Sequence, residues 1–141
     1  MKNSRLLLLI GGGLILALAQ LIYQQFYQPS LSPLPITSCA DLTQPCRISN
    51  TSYYVYTDHQ PSRLVPFMLT LQGKAQRVSV SFTMQDMEMG PHQYTLLPHI
   101  AKNTWQAKII LPACIKGRRD WHMTIYIDNV PLGQVAFYNK A

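Results

Sequence analysis

At 141 residues the chain has room for one domain and an appendage. Only 13% of it is charged, with twelve basic residues against six acidic ones and a formal net charge of +6. That modest excess, without a long basic run or an aromatic-interleaved basic strip, argues against a nucleic-acid surface. The acids are scattered, Asp86 and Glu88 being the close pair. There is no nucleophile elbow, His-x-x-x-His pair or Gly-rich phosphate loop, so a non-enzymatic role is expected.

The chain opens with Lys2 and Arg5, followed by an uncharged stretch from Leu6 to Tyr23 that is apolar apart from Gln20. As a helix it would extend roughly 27 Å, close to the ~30 Å of a hydrocarbon core. Two readings compete. Ala17-Leu18-Ala19 resembles a signal-peptidase site, whereas Leu21, Ile22 and Tyr23 carry the apolar run past it. Phe26 and Tyr27 add to an aromatic belt. An uncleaved signal anchor over residues 1–27, with a single transmembrane helix at about 6–23, is the favoured reading. With the basic residues on the N-terminal side, the remainder is expected outside the cytoplasm: a single-pass protein of the bacterial inner membrane with its C-terminal domain in the periplasm. Residues 28–36 are Pro-rich and read as a semi-rigid linker.

From residue 37 to 141 the pattern is β. Cys39 and Cys46 flank a short segment and, in an oxidising compartment, read as a disulfide worth about 2–3 kcal/mol. Val65, Phe67, Leu69 and Leu71 alternate, as do Val78, Val80 and Phe82. So do Trp105, Ala107, Ile109 and Leu111, and again Trp121, Met123, Ile125 and Ile127. Tyr53–Tyr56, Tyr94–Leu97 and Val135–Tyr138 add shorter strands, with turns at Gln72-Gly73-Lys74, Gly90-Pro91, Lys116-Gly117 and Asp128-Asn129. The fold class expected is all-β: an immunoglobulin-like antiparallel β-sandwich of about seven strands preceded by one transmembrane helix, with a small barrel as the alternative. The basic spot Lys116-Gly117-Arg118-Arg119 reads as a solvated turn or as a contact for an anionic partner.

Met84, Met87, Met89 and His92 fall within one short segment. Thioether and imidazole are soft or borderline ligands suited to Cu(I). Strand parity assigns Met84 and Met123 to the core, and puts His122 on the face opposite Met123. Met87 and Met89 lie two apart, and a turn at Gly90-Pro91 would bring His92 back toward them. Those three, with Cys114 as a further donor, are the candidate metal ligands. The competing reading is a hydrophobic loop over one end of the sandwich, with His92 solvated and Cys114 a buried, inert thiol. Without a CxxC, thiol redox chemistry ranks last.

The runs Asp86-Met87-x-Met89-Gly90 and Leu111-Pro112-x-Cys114-x-x-Gly117-Arg118-x-Asp120-Trp121 resemble a family of small membrane-anchored bacterial exported proteins, found near Sco-type copper proteins and similar in layout to the FixH-like and YtkA-like domains. The likeness covers essentially the whole exported part, with Cys39 and Cys46 where that family has its N-terminal cysteines. It singles out Met87, Met89, Cys114, Arg118, Asp120 and Trp121, and implies membership of a respiratory or copper-handling complex. Pro91-His92 departs from its pattern, so His92 rests on ligand chemistry alone. Arg118 and Asp120 read as a salt-bridged turn fixing the loop that carries Trp121. The function expected is that of a membrane-tethered accessory protein binding or relaying Cu(I) in respiratory oxidase assembly. The alternative is a metal-free interaction module whose methionines dock a partner subunit.

Overall fold

The structure is a computed structural model. It describes residues 13, 15–23, 33–84, 87–112 and 117–139, with the backbone only for residues 87–91. The chain divides into two units, Met1–Pro33 and Leu34–Ala141. In the first, residues 15–23 are helical, and Ile15, Leu16, Leu18, Leu21 and Ile22 expose most of their side chains. No helix among the described residues is long and apolar enough to cross a membrane. Most of the expected span before residue 15, and residues 28–32 of the expected linker, lie outside the described residues.

The second unit is all-β and sandwich-like. Its described strands are β1 (Ile36–Ser38), β2 (Cys46–Arg47), β3 (Tyr54–Thr57), β4 (Phe67–Gln72), β5 (Val78–Met84), β6 (Met87–Pro98), β7 (Thr104–Ile109), β8 (Asp120–Ile127) and β9 (Val130–Tyr138). They form one nine-stranded order, β1-β9-β8-β5-β6-β7-β4-β3-β2. All pairings are antiparallel except β1 with β9. Strand β6 serves both halves: residues up to Leu96 pair with β5, and Leu97 and Pro98 pair with β7. Nine strands stand where about seven were expected, because β1 and β2 are too short to show alternation.

Alternation places the core. Phe67, Leu69 and Leu71 of β4, Val78, Val80 and Phe82 of β5, and Trp121, Met123 and Ile125 of β8 are buried. Met84, 4% exposed, joins them, and the half-buried His122 faces away from fully buried Met123. Val65, expected to open the β4 alternation, instead precedes the strand and is 45% exposed.

Two turns show how local chemistry fixes the sheet. Asp128 and Asn129 both have positive φ, and Ile127 pairs with Val130. That is the two-residue type I′ hairpin whose twist matches its strands. Asp128 Oδ1 also accepts the backbone N–H groups of Gln76 and Arg77 at 2.9 and 2.8 Å, tying the β4–β5 connection to this hairpin. At Gly73 a Cβ would overlap the Tyr53 ring, whose hydroxyl donates to the Lys74 carbonyl at 2.6 Å. The Trp105 indole donates to the Gly73 carbonyl at 3.2 Å.

The two ends of the strand order meet through side chains. Cys39, directly after β1, is disulfide-bonded to Cys46 of β2, with Cα atoms 6.2 Å apart. Ser49 N–H donates to Thr37 Oγ1 at 2.8 Å, and buried Leu42 and Ile48 fill the seam between the edges.

Candidate functional site at one end of the sandwich

Strand directions collect the chemistry-bearing residues at one end. The register puts the close of β5 beside the openings of β6 and β8, and the close of β9 beside the opening of β8. It also puts the close of β7 beside the opening of β4, which lies next to the close of β3.

Met87 pairs with Met84, and His92 pairs with Phe82. Residues 88–91 therefore oppose Thr83 alone, a bulge that contains Gly90 and Pro91. The turn expected at Gly90-Pro91 is replaced by strand backbone. Proline lacks a ladder donor, and a bulge is one of the places a sheet tolerates it. His92 is half-buried and shares the inward face of its cross-strand partner Phe82. The side chains of Met87 and Met89, and Cys114 altogether, lie outside the described residues. The flanks of the Cys114 segment belong to this same end: Leu111 bridges to Arg63, and Gly117, with a left-handed φ of 66°, precedes β8. His99 sits apart and exposed, its Nδ1 accepting the Ala101 N–H at 3.3 Å.

Ahead of β8, Arg118 forks onto Asp120. Its Nε donates to Oδ1 at 2.9 Å and its Nη2 to Oδ2. The guanidinium hydrogen bond holds the Asp120 carboxyl below its ordinary value of 3.8, against an opposing push from partial burial. A depressed carboxyl pKa adds stability that is fully present above the unfolded value and is lost as pH falls through the folded one. Arg118→Met is therefore expected to lower stability at neutral pH by less than about 1 kcal/mol and to flatten the loss of stability below about pH 4. Urea midpoints taken between pH 6 and the acid limb check this, and an unchanged acid limb would deny the pair any such role. Next to it, Trp121 is fully buried, and its indole N–H has no partner among the described residues.

The sequence did not single out a second group at this end. An open pocket of about 850 Å³ lies between the 40–43 segment, the turn after β3 and the end of β9. Asp58, His59, Gln60, Arg119 and Asn139 line it. The adjacent Asp58-His59 pair directly after a strand was the available signal. The remaining members come from distant segments that only the topology joins.

Among the described residues, no three of His, Cys, Asp and Glu gather into a group that could hold a metal ion. The donor set Met87, Met89 and His92 fits Cu(I) by its softness, and Met87 and His92 belong to one strand segment. No family model, curated protein or solved structure matches the chain.

Proposed function

We propose that this chain is a membrane-tethered, exported accessory protein. In this reading its immunoglobulin-like domain binds or relays Cu(I) during assembly of a respiratory oxidase, as its likeness to the FixH-like and YtkA-like exported domains suggests. Met87 and Met89 supply thioether sulfur, and His92 or Cys114 completes the set. The apolar, exposed helix at residues 15–23 supports the tether. The observation that carries the copper reading is the register: Met87, His92 and both flanks of the Cys114 segment belong to one end of the sheet. When bound, the metal would be held there as a soft, low-coordinate ion. The chain's own contribution is the β5–β6 pairing, Met84 with Met87 and Phe82 with His92, on which the donors are carried.

A second reading, a metal-free interaction module, has its own support at the same end. Leu64, Val65 and Ile110 are exposed, and Leu64 N–H donates to the Leu111 carbonyl at 3.2 Å, next to Ile110. Titrating the full chain with Cu(I) against a chromophoric chelator separates the two. The native chain is expected to retain the ion, and Met87→Leu/Met89→Leu to weaken retention by about tenfold or more, roughly 1.4 kcal/mol. A native chain that retains no Cu(I) would overturn the copper reading in favour of docking. Undiminished binding by the double variant would move the site to other donors, Cys114 first.

A further inference from the structure

We propose that the end of the sandwich opposite the methionine donors rests on the anionic lipid headgroups of the membrane to which the chain is tethered. The register gathers at that end the β4–β5 connection, the β6–β7 loop and the β8–β9 hairpin. Strand β1 runs parallel to β9, and the Pro35 carbonyl accepts the Gln134 N–H at 2.9 Å, so the chain enters the fold at this same end. Between Tyr23, the last helical residue described, and Leu34 it can extend no more than roughly 40 Å. Such a contact rests on the tether of the proposed function and not on the copper.

Composition separates the two ends. Lys74 and Arg77 of the β4–β5 connection and Lys102 of the β6–β7 loop are exposed. Among the described acids, Asp128 alone lies at this end, and its Oδ1 is taken up by the Gln76 and Arg77 N–H groups at 2.9 and 2.8 Å. Asp41, Asp58 and Asp120 belong to the opposite end. Ile100, 99% exposed, stands two residues before Lys102 in the same loop. Leu97 at the close of β6 and Val130 at the opening of β9 are exposed at this end too. Strands β9 and β6 are three spacings apart in the sheet order, roughly 14 Å along the sheet. Apolar tips spread over that distance, with cations on the same loops, suit a surface that admits shallow insertion and attracts by charge. An anionic bilayer is such a surface.

The loops that carry these residues are tied to one another. Gly73 N–H donates to the Asn103 carbonyl at 2.8 Å, and Asp128 N–H to the Arg77 carbonyl at 2.9 Å. Beside them a polar pocket of about 520 Å³ is lined by Arg77, Ser79, Gln93, Thr95 and Asn129. A cation with hydroxyl and amide donors, and no carboxylate in the lining, suits a phosphate oxygen. Seated this way, the domain holds Met87 and His92 away from the headgroups by about the length of β5, roughly 20 Å.

The test places the full chain, ¹³C-labelled at its isoleucine δ1 methyls, in nanodiscs of equal parts phosphatidylcholine and phosphatidylglycerol that carry a headgroup gadolinium chelate. The Ile100 methyl signal is expected to be lost, and that of exposed Ile110, at the opposite end, to persist. In Lys74→Ser/Arg77→Ser/Lys102→Ser, and in discs of phosphatidylcholine alone, the Ile100 signal is expected to return. Surface substitutions of this kind rarely disturb a fold, and unshifted signals from buried Ile48, Ile109 and Ile125 check that they have not. Loss of both signals, loss of Ile110's alone, or a lost Ile100 signal in the triple variant or in phosphatidylcholine would overturn the proposal. So would persistence of both in a chain that has entered the disc, which would leave this end to a protein partner. A chain that does not enter the disc would remove the tether and the contact together.

Discussion

Trp121→Ala is expected to cost about 3–5 kcal/mol, the range for deleting a large buried aromatic side chain. Trp121 is the largest fully buried side chain described and stands on central strand β8, opposite Phe137 of β9. The informative comparison is Trp121→Phe. A buried donor without a partner costs about 1–3 kcal/mol relative to a satisfied one. Phenylalanine removes that donor while keeping most of the ring volume, so its net cost is expected to stay under about 1.5 kcal/mol, as for near-conservative core changes. Urea unfolding with m-values checks both. A phenylalanine variant as unstable as the alanine one would mean that the indole N–H makes a bond on which the fold depends.

Reducing the Cys39–Cys46 bond is the second large effect, expected at about 2–3 kcal/mol for so small a loop. The bond joins the first and last strands of the sheet order, and no backbone pairing connects β1 to β2 among the described residues. Reduction leaves the seam to the Thr37–Ser49 hydrogen bond and to Leu42 and Ile48. Unfolding midpoints with and without dithiothreitol, beside a thiol count on the unreduced chain, measure it. An unmoved midpoint would show that packing alone holds the seam. Three free thiols before reduction would remove the bond itself.

The longer strands could be read from the sequence because one face of each is buried, and burial writes a period of two. The same parity put Met84 and Met123 in the core. It was silent for Ile36–Ser38 and Cys46–Arg47, where three and two residues carry no period. Turn chemistry misled at Gly90-Pro91, where a pair that normally marks a turn sits instead in a bulge of β6. The pocket at Asn139 left only the adjacent Asp58-His59 pair as a local signal. Its polar groups come from the 40–43 segment, the turn after β3 and the end of β9, which only the topology joins. The side-chain atoms of His59 and Asn139 that lack partners among the described residues are a property of the packed fold.

The parallel pairing of β1 with β9 bears on how the chain is put together. Ile36 to Ser38 are made well before their ladder partners, Gln134 to Ala136. Domains generally fold as units during synthesis. The edge at β1 cannot be completed until β9 has been made, whereas Cys39 and Cys46 can find each other as soon as both are in an oxidising space. The covalent staple is therefore local and early, the strand it serves is completed late, and a chain truncated before β9 would leave β1 without its ladder.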